Sequence, residues 1–435
     1  MLIEFTVGNF RSFKEPVTFS MVAADLESQD IIVDENNTFV VNDKLRLLRS
    51  AVVYGANGSG KSNLGKAMRF MRTFVMNSSK ESQVDEEIPV EEFLLNQSLL
   101  NEPSLFQIVF IHEGVQYRYG FEVTAERVIS EWLFVYVTTK ETNLFQRDLD
   151  EIRPSPTKFK EGKGLQAKTR RNALFLSVVA QFNGPVAQQI LAWFQFFNVI
   201  SGNIPNIYLT YSLRMLHNSA HSKEMLELIR ELDLYIEDVE IDRHEFDSPG
   251  LISDAPEAEK QSASRQGKSE FFKMKTVHDV FDNKGKKTGT TLLDLIKHES
   301  DGTQKLVALS GPIINSLRCG RILFVDELDA RLHPIITRAL VRLFNSTNGN
   351  PLNAQLIFAT HDTNLLSKNI FRRDQIWFTE KNRQGATALY SLAEYLESKS
   401  NGSNSLEADY IHGKFGAIPF LGGLSRDSDK IEGAE

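Results

Sequence analysis

Eight consecutive residues, Gly55-Ala56-Asn57-Gly58-Ser59-Gly60-Lys61-Ser62, satisfy the pattern glycine, four residues, Gly-Lys-Ser/Thr, with Asn63 directly after them. Glycines let successive backbone N–H groups turn into one concavity, a lysine there reaches outer phosphate oxygens, and the serine hydroxyl can coordinate magnesium. The chemistry on offer is capture of a nucleoside triphosphate with its metal. Ile322 to Glu327 (ILFVDE) is an apolar run ending in two carboxylates. Asp326 can bind a metal ion directly or through water, and Glu327 can polarise or orient an attacking water. Leu356 to His361 (LIFATH) is a third apolar run, tipped by a histidine. A glycine turn, a turn-initiating acid pair and a lone histidine are each commonplace alone; together at strand ends they point to one nucleotide site.

These tips need a scaffold. Arg49–Tyr54 reads as a buried strand entering the glycine loop, and Leu64, Met68, Met71 and Val75 recur at helical spacing after it. Three parallel strands ending in the loop, the acid pair and the histidine would bring all three tips to the carboxyl edge of an open α/β sheet, where ligands bind. At the N-terminus, Leu2, Glu4 and Thr6 alternate with Ile3, Phe5 and Val7, a strand pattern. Residues 104–148 alternate in hairpins and predict an antiparallel β layer. Residues 153–171 carry seven basic side chains (Arg153, Lys158, Lys160, Lys163, Lys168, Arg170, Arg171) against Glu161 alone, the one concentrated positive stretch and a candidate nucleic-acid contact. ALFLSVVAQF, PVAQQILAWFQFF and KEMLELIRELDLYI read as helices, the last through Met225, Leu228, Ile229, Leu232 and Ile236. A mobile loop is expected at 247–268, then a hairpin through FDNKGKKTG, a flexible insert at 398–405 and a flexible tail at 426–435. The expected division is 1–150, 151–275 as a helical insertion, 276–425 and the tail.

Composition bounds the partners. The chain has 435 residues, enough for about two or three domains. Lys and Arg total 49 against 57 Asp and Glu, a net charge of −8 that excludes indiscriminate coating of nucleic acid or anionic membrane. Cys319 is the only cysteine, so no internal disulfide and no multi-cysteine zinc site can form. No signal-peptide pattern and no uncharged apolar run of membrane-spanning length is present, so a cytoplasmic protein without membrane contact is expected.

Asn9-Phe10-Arg11-Ser12-Phe13, GANGSGKSN, ESDGTQKL, DELDARLHP and FATHDTNLL together resemble ABC-type ATPases of the RecF and SMC branch, and among these the bacterial phage-defence, abortive-infection AAA ATPases of the RloA, AbiL and PARIS kind. The resemblance implies an α/β fold: a P-loop ATPase head with a mostly parallel core sheet, an antiparallel β layer and an inserted helical lid. It implies ATP and magnesium as cofactors, held by the loop residues Gly55 to Asn63, with Ser62 and Asp326 on the metal and Lys61, Glu327 and the γ-phosphate-sensing His361 as the catalytic set. It also implies a homodimer or higher homo-oligomer closing through the ATP site, with a signature motif from one copy capping the phosphate of the other. Ser300 and Gly302 are the choice for that motif, because a helix start presents free N–H groups, whereas Leu309-Ser310-Gly311-Pro312 would fall inside the helix. Asp301 departs from the usual glycine. Arg11 is expected to reach the nucleotide, and Asp329 and His333 to lie in a subunit-contacting loop; Gln83, Gln97 and Gln107 are all open as a magnesium-sensing glutamine. The functional expectation is an ATP-gated switch in anti-phage defence acting with a separate effector, and the alternative is a RecF-like DNA-repair or end-binding ATPase. Arg127 and Glu131 have the spacing of an anticodon-nuclease motif, but Val135 stands where its histidine belongs, and the 74 residues after His361 show no toprim-like Glu and Asp-x-Asp set. The chain is therefore expected not to cut nucleic acid itself. A small-molecule kinase would have no use for the Thr360-His361 tip.

Overall fold

The computed structural model describes the chain except residues 27–29, 81–85, 138–139, 203–205, 219, 233–235, 247–268, 396–404 and 420–435. The expected mobile loop at 247–268, the tail at 426–435, Gln83 and nearly all of the insert at 398–405 therefore lie outside the described residues. The chain divides into two compact units: Leu2–Gln195 with the chain from Ala359 onward, and Phe196–Phe358.

The first unit opens with β1 (Leu2–Gly8), β2 (Val17–Ser20), α1 (Ile31–Asn37), β3 (Thr38–Asn42), β4 (Leu45–Leu48), β5 (Ser50–Tyr54) and α2 (Lys61–Asn77). It continues through β6 (Ser104–His112), β7 (Val115–Val123), β8 (Val128–Val137), β9 (Lys140–Asp148), β10 (Glu151–Pro154), α3 (Phe175–Gln181) and α4 (Pro185–Gln195). The expected hairpin layer is a seven-stranded sheet of order β10-β9-β8-β7-β6-β1-β2, antiparallel throughout. Period two in β1 buries Phe5 and Val7 and leaves Glu4 and Thr6 half-buried. Helix α2 buries Leu64, Met68, Met71 and Val75, the stripe its spacing predicts. Its Phe70 and Phe74 rest on Phe106 and Phe121 of the antiparallel sheet, with ring centroids 4.8 and 5.5 Å apart.

The second unit holds β11 (Phe197–Ser201), α5 (Asn206–Asn218), α6 (Ser222–Glu231), β12 (Asp238–Phe246), β13 (Ser269–Phe281), β14 (Lys287–Asp294), α7 (Leu295–His298), α8 (Asp301–Cys319), β15 (Ile322–Asp326), α9 (Pro334–Asn345) and β16 (Gln355–Ala359). Strands β11, β15 and β16 pair in parallel; β16 is buried throughout and β15 from Ile322 to Val325, whereas β11 is buried only at Phe197 and Ile200. β12, β13 and β14 form a separate antiparallel sheet, with the expected hairpin turn joining β13 to β14. Two helix expectations shift. The helix of PVAQQILAWFQFF stops at Gln195, because Phe197–Ser201 is a β-prone run whose backbone pairs with β15. The last helix ends at Glu231 with Leu232 as its C-cap, so Ile236 is buried outside it.

The chain then returns to the first unit with β17 (Ile376–Lys381), β18 (Thr387–Ser391) and α10 (Leu406–Ile411). β17 lies parallel to β5, pairing Trp377 with Val53, and antiparallel to β18. The architecture is α/β, each unit combining parallel strand pairing with an antiparallel sheet.

Candidate functional site

In the first unit, the backbone of the glycine loop accepts no other residue type at two of its turns. Gly55 has φ +151° and Gly60 φ +120°; a Cβ would come 2.4 Å from the Thr379 carbonyl oxygen at the first and 2.5 Å from Thr387 Oγ1 at the second. Gly58 (φ +75°) would meet nothing within 4 Å, so it needs glycine for its backbone alone. Lys61 is buried, and its Nζ donates to the carbonyls of Gly55 at 2.6 Å and Ala56 at 3.1 Å, inside the loop's own curve. Gly60 caps α2 without a side-chain hydrogen bond, so no cap side chain occupies the first-turn amides of this 17-residue helix. Ala56, Ser62 and Asn63 are half-buried, Asn57 is exposed and Ser59 is buried. A concave run of backbone amides at a helix start, with a lysine at its edge, fits a polyphosphate.

Hydroxyls from distant strands brace this loop. Ser59 Oγ lies 2.7 Å from Thr379 Oγ1, and the Thr387 hydroxyl lies 2.7 Å from the Ser59 carbonyl and 2.8 Å from Ser12 Oγ. Asn63 Nδ2 donates to Ser12 Oγ at 2.7 Å, and the Thr387 N–H to the Ser12 carbonyl at 2.7 Å. The N-terminal Asn9–Phe13 turn is thus welded to the phosphate loop. Ser12, Thr379 and Thr387 carry no sequence signal of this role beyond their membership of strands and turns.

Arg11 sits in that turn at φ +53°, its N–H donating to the Glu91 carbonyl at 2.8 Å and its guanidinium paired with the Glu91 carboxylate. It lines a cavity of about 940 Å³ that also holds Glu87, Glu92 and Arg127. Past β16, the Thr360 N–H donates to the Val53 carbonyl at 3.2 Å, and Tyr54 Oη to the Asp362 carbonyl at 3.0 Å. This places exposed His361 alongside the end of β5, where the glycine loop begins.

In the second unit, β15 is buried from Ile322 to Val325 and delivers half-buried Asp326 and Glu327 at its carboxyl end. Glu327 takes φ +56°, a left-handed conformation that a non-glycine residue adopts only when its surroundings impose it. One imposing neighbour is Gly202, whose N–H donates to the Asp326 carbonyl at 2.6 Å and whose absent Cβ would lie 2.1 Å from the Glu327 carbonyl oxygen. The other is Lys305 of α8, whose place in the sequence carries no signal of this role. Its Nζ donates to the carbonyls of Glu327, Leu328 and Ala330 at 3.0, 2.9 and 2.6 Å. Burial pushes this ammonium down to about 8, against the opposing pull of Asp329 and Glu327.

Helix α8 starts where the signature choice required. Ser300 is its N-cap, accepting from the Thr303 N–H at 3.1 Å, and Gly302 lies in its first turn. Leu309 to Pro312 are buried in its interior, where the Gly311 N–H donates to Ser212 Oγ of α5 at 3.2 Å, so that segment serves helix packing. Asp301 pairs with Arg331 at 3.2 Å, and a Cβ at Gly302 would come 2.8 Å from the Arg331 carbonyl oxygen. His333 caps α9, accepting from the Ile335 N–H at 3.3 Å, and the Asp329 carbonyl accepts from Leu332. Among the described residues no group of three or more His, Cys, Asp or Glu side chains could hold a metal ion by itself.

Residues 153–171 are folded against the first unit. Phe159 and Leu165 are buried, Arg153 pairs with Glu151, Lys168 lies 4.7 Å from the Phe182 ring centre, and Arg170 faces the carbonyls of Ser78 and Ser79 at 3.4 Å. No helix among the described residues is long and apolar enough to cross a membrane.

Comparison with solved structures finds an SMC head bound to the C-winged helix domain of ScpA, 13% identical over 90% of this chain and 97% of that one, with a TM-score of 0.45. The SMC head domain from Thermotoga maritima is 12% identical over 90% and 98%, with a TM-score of 0.37. The recombination mediator protein RecF is 14% identical over 89% and 98%, with a TM-score of 0.32. No curated protein matches the chain by sequence. The family profile described as "AAA domain, putative AbiEii toxin, Type IV TA system" matches residues 50–367, a span running from the strand before the glycine loop to just past His361. With that match over well more than half its length, the chain belongs to this family of AAA-type ATPase domains.

Proposed function

We propose that this protein is a magnesium-dependent ATP hydrolase that works as an ATP-gated switch between copies of itself. The observation that carries the reading is the glycine-walled, hydroxyl-braced loop at the uncapped start of α2, with Lys61 lying along its inner carbonyls. Bound Mg-ATP supplies the electrophilic phosphorus and the metal charge. The loop amides and Lys61 hold the phosphates, Ser62 and Asp326 hold the metal, Glu327 takes a proton from the attacking water, and His361 reads the γ-phosphate. Ser300 and Gly302 of a second copy offer α8 amides to the same phosphate. Asp301, the residue least suited to that place, has its charge offset by Arg331. Arg11 joins the nucleotide only by leaving Glu91.

The family description supports a role in bacterial abortive infection, and we read the chain as the cytoplasmic sensing component of anti-phage defence, passing its state to a separate effector protein. A RecF-like DNA-binding role through residues 153–171 is the alternative reading: Arg153, Lys168 and Arg170 are engaged with Glu151, Phe182 and the Ser78 and Ser79 carbonyls, while Lys158, Lys160, Lys163 and Arg171 are exposed. Phosphate release tests the chemistry. Lys61→Ala should abolish nucleotide binding, and Glu327→Gln should bind ATP while slowing hydrolysis about 100-fold or more. Wild-type-like turnover in Glu327→Gln would remove its assigned role.

A further inference from the structure

We infer that Lys305 is a positioning residue: it holds the loop Glu327–Ala330, and with it the Glu327 carboxylate, and yokes that loop to the helix whose start presents Ser300 and Gly302. The inference rests on the ATPase reading and extends it to communication between the start of α8 and the loop after β15.

Lys305 has no exposed surface, and no carboxylate is among its hydrogen-bond partners. An ammonium has three N–H donors, and the three carbonyls at 2.6–3.0 Å use all of them. Burying a charge on neutral acceptors alone is costly, so a methionine-like side chain would fill the same space more favourably if packing were the only demand. What the charge does is gather three carbonyls onto one point. That imposes a tight turn, and the chain on either side shows it: Glu327 at φ +56° and Arg331 at φ +62° bracket the gathered segment in left-handed conformations. The Glu327 carbonyl accepts from Lys305 and the preceding Asp326 carbonyl from the Gly202 N–H, so the backbone on both sides of the Glu327 Cα, and with it the direction of its side chain, is held.

Ser300 lies five residues before Lys305, about 7.5 Å along a helix axis at 1.5 Å per residue. Over so short a span a helix transmits displacement as a rigid rod. The Asp301–Arg331 pair and the contact of Gly302 with the Arg331 carbonyl tie the helix start to the far end of the same loop. A nucleotide engaged at Ser300 and Gly302 by a second copy would therefore shift the loop that orients this copy's own Glu327. Each copy's hydrolysis becomes sensitive to the nucleotide of the other.

The test uses the full chain with Lys305→Met and reads two quantities. Amide hydrogen exchange in residues 327–332 should accelerate at least tenfold, with exchange in residues 55–62 unchanged. Turnover should fall at least tenfold with KM for ATP within about twofold of wild type, and any sigmoidal dependence on ATP should become hyperbolic. A purely structural role would instead lower thermal stability and leave the kcat of the folded fraction intact. If Lys305→Met does not fold, Gly202→Ala pushes on the same carbonyl from the other side without removing a charge, and the same two readouts apply. Unchanged exchange at 327–332 overturns the proposal even if the wild type proves inactive, whereas absent wild-type hydrolysis with accelerated exchange in the variant overturns only the ATPase reading. Wild-type kcat in a variant whose loop exchange has accelerated also overturns it.

Discussion

Gly60 shows how narrow the chemical tolerance of the phosphate loop is. Its φ of +120° is closed to side chains, and a Cβ would sit 2.5 Å from the hydroxyl that braces Ser59. Gly60→Ala should weaken ATP binding more than tenfold, measured by isothermal titration, with little change in the far-UV circular dichroism, because the strain is confined to the loop. Gly58→Ala has backbone strain but no collision, so its loss should be the smaller of the two. An equal loss at both would mean that conformation, not space, sets the requirement.

At the scale of elements, what matters is how segments far apart in sequence are fastened together. Ser12 receives Asn63 of α2 and contacts Thr387 at the start of β18, so one hydroxyl joins the N-terminal turn, the nucleotide helix and the sheet edge. Ser12→Ala should cost about 1 kcal/mol of stability, seen in urea unfolding, and weaken ATP binding several-fold by loosening Asn63. A second fastening lies in the antiparallel layer. Glu131 of β8 is fully buried, accepts from the Phe175 and Leu176 N–H groups at 2.7 and 3.0 Å, and so pins the start of α3 to the sheet, with Tyr119 Oη donating at 3.0 Å. Burial raises its pKa, against the opposing influence of Arg147 and these hydrogen bonds. An acid whose folded value is raised gives its stabilisation fully below the ordinary carboxylate range and loses it as pH climbs through the raised value. Wild type should therefore lose thermal stability relative to non-titrating Glu131→Gln as pH rises from about 4, the ordinary Glu value being about 4.3. A parallel pair of Tm curves would show that Glu131 titrates alike in folded and unfolded chains.

For the whole molecule, the proposed switch makes a claim about mass. Glu327→Gln, able to hold ATP but slow to spend it, should sediment or scatter as a dimer or larger assembly with Mg-ATP and as a smaller species without it. Ser300→Arg, which places bulk and a long side chain at the start of α8, should abolish that shift while leaving ATP binding by the glycine loop intact. Unchanged mass with and without ATP in Glu327→Gln would sink the switch. The acidic balance of −8 bears on the same experiment, since charge repulsion between copies makes low ionic strength the more stringent condition.

The glycine loop, the strand before it and the stripe of α2 were legible in the sequence because their causes are local: φ freedom, donor geometry and a 3.6-residue period need no knowledge of the rest of the chain. The carboxylate strand and the start of α8 were legible for the same reason, as apolar periodicity meeting a capping serine. Tertiary structure alone decided what surrounds them. Thr379 and Thr387 brace the loop from more than 300 residues away, and Glu131 caps a helix 44 residues on, through pairings set by strand order. Nothing in the spacing around Lys305 marks it, because the three carbonyls on its ammonium come from the turn after β15. Spacing along the chain records which chemistry a segment can do. Which neighbour takes up a buried donor depends on how the sheets and helices pack, and that is settled by the burial of side chains remote in sequence.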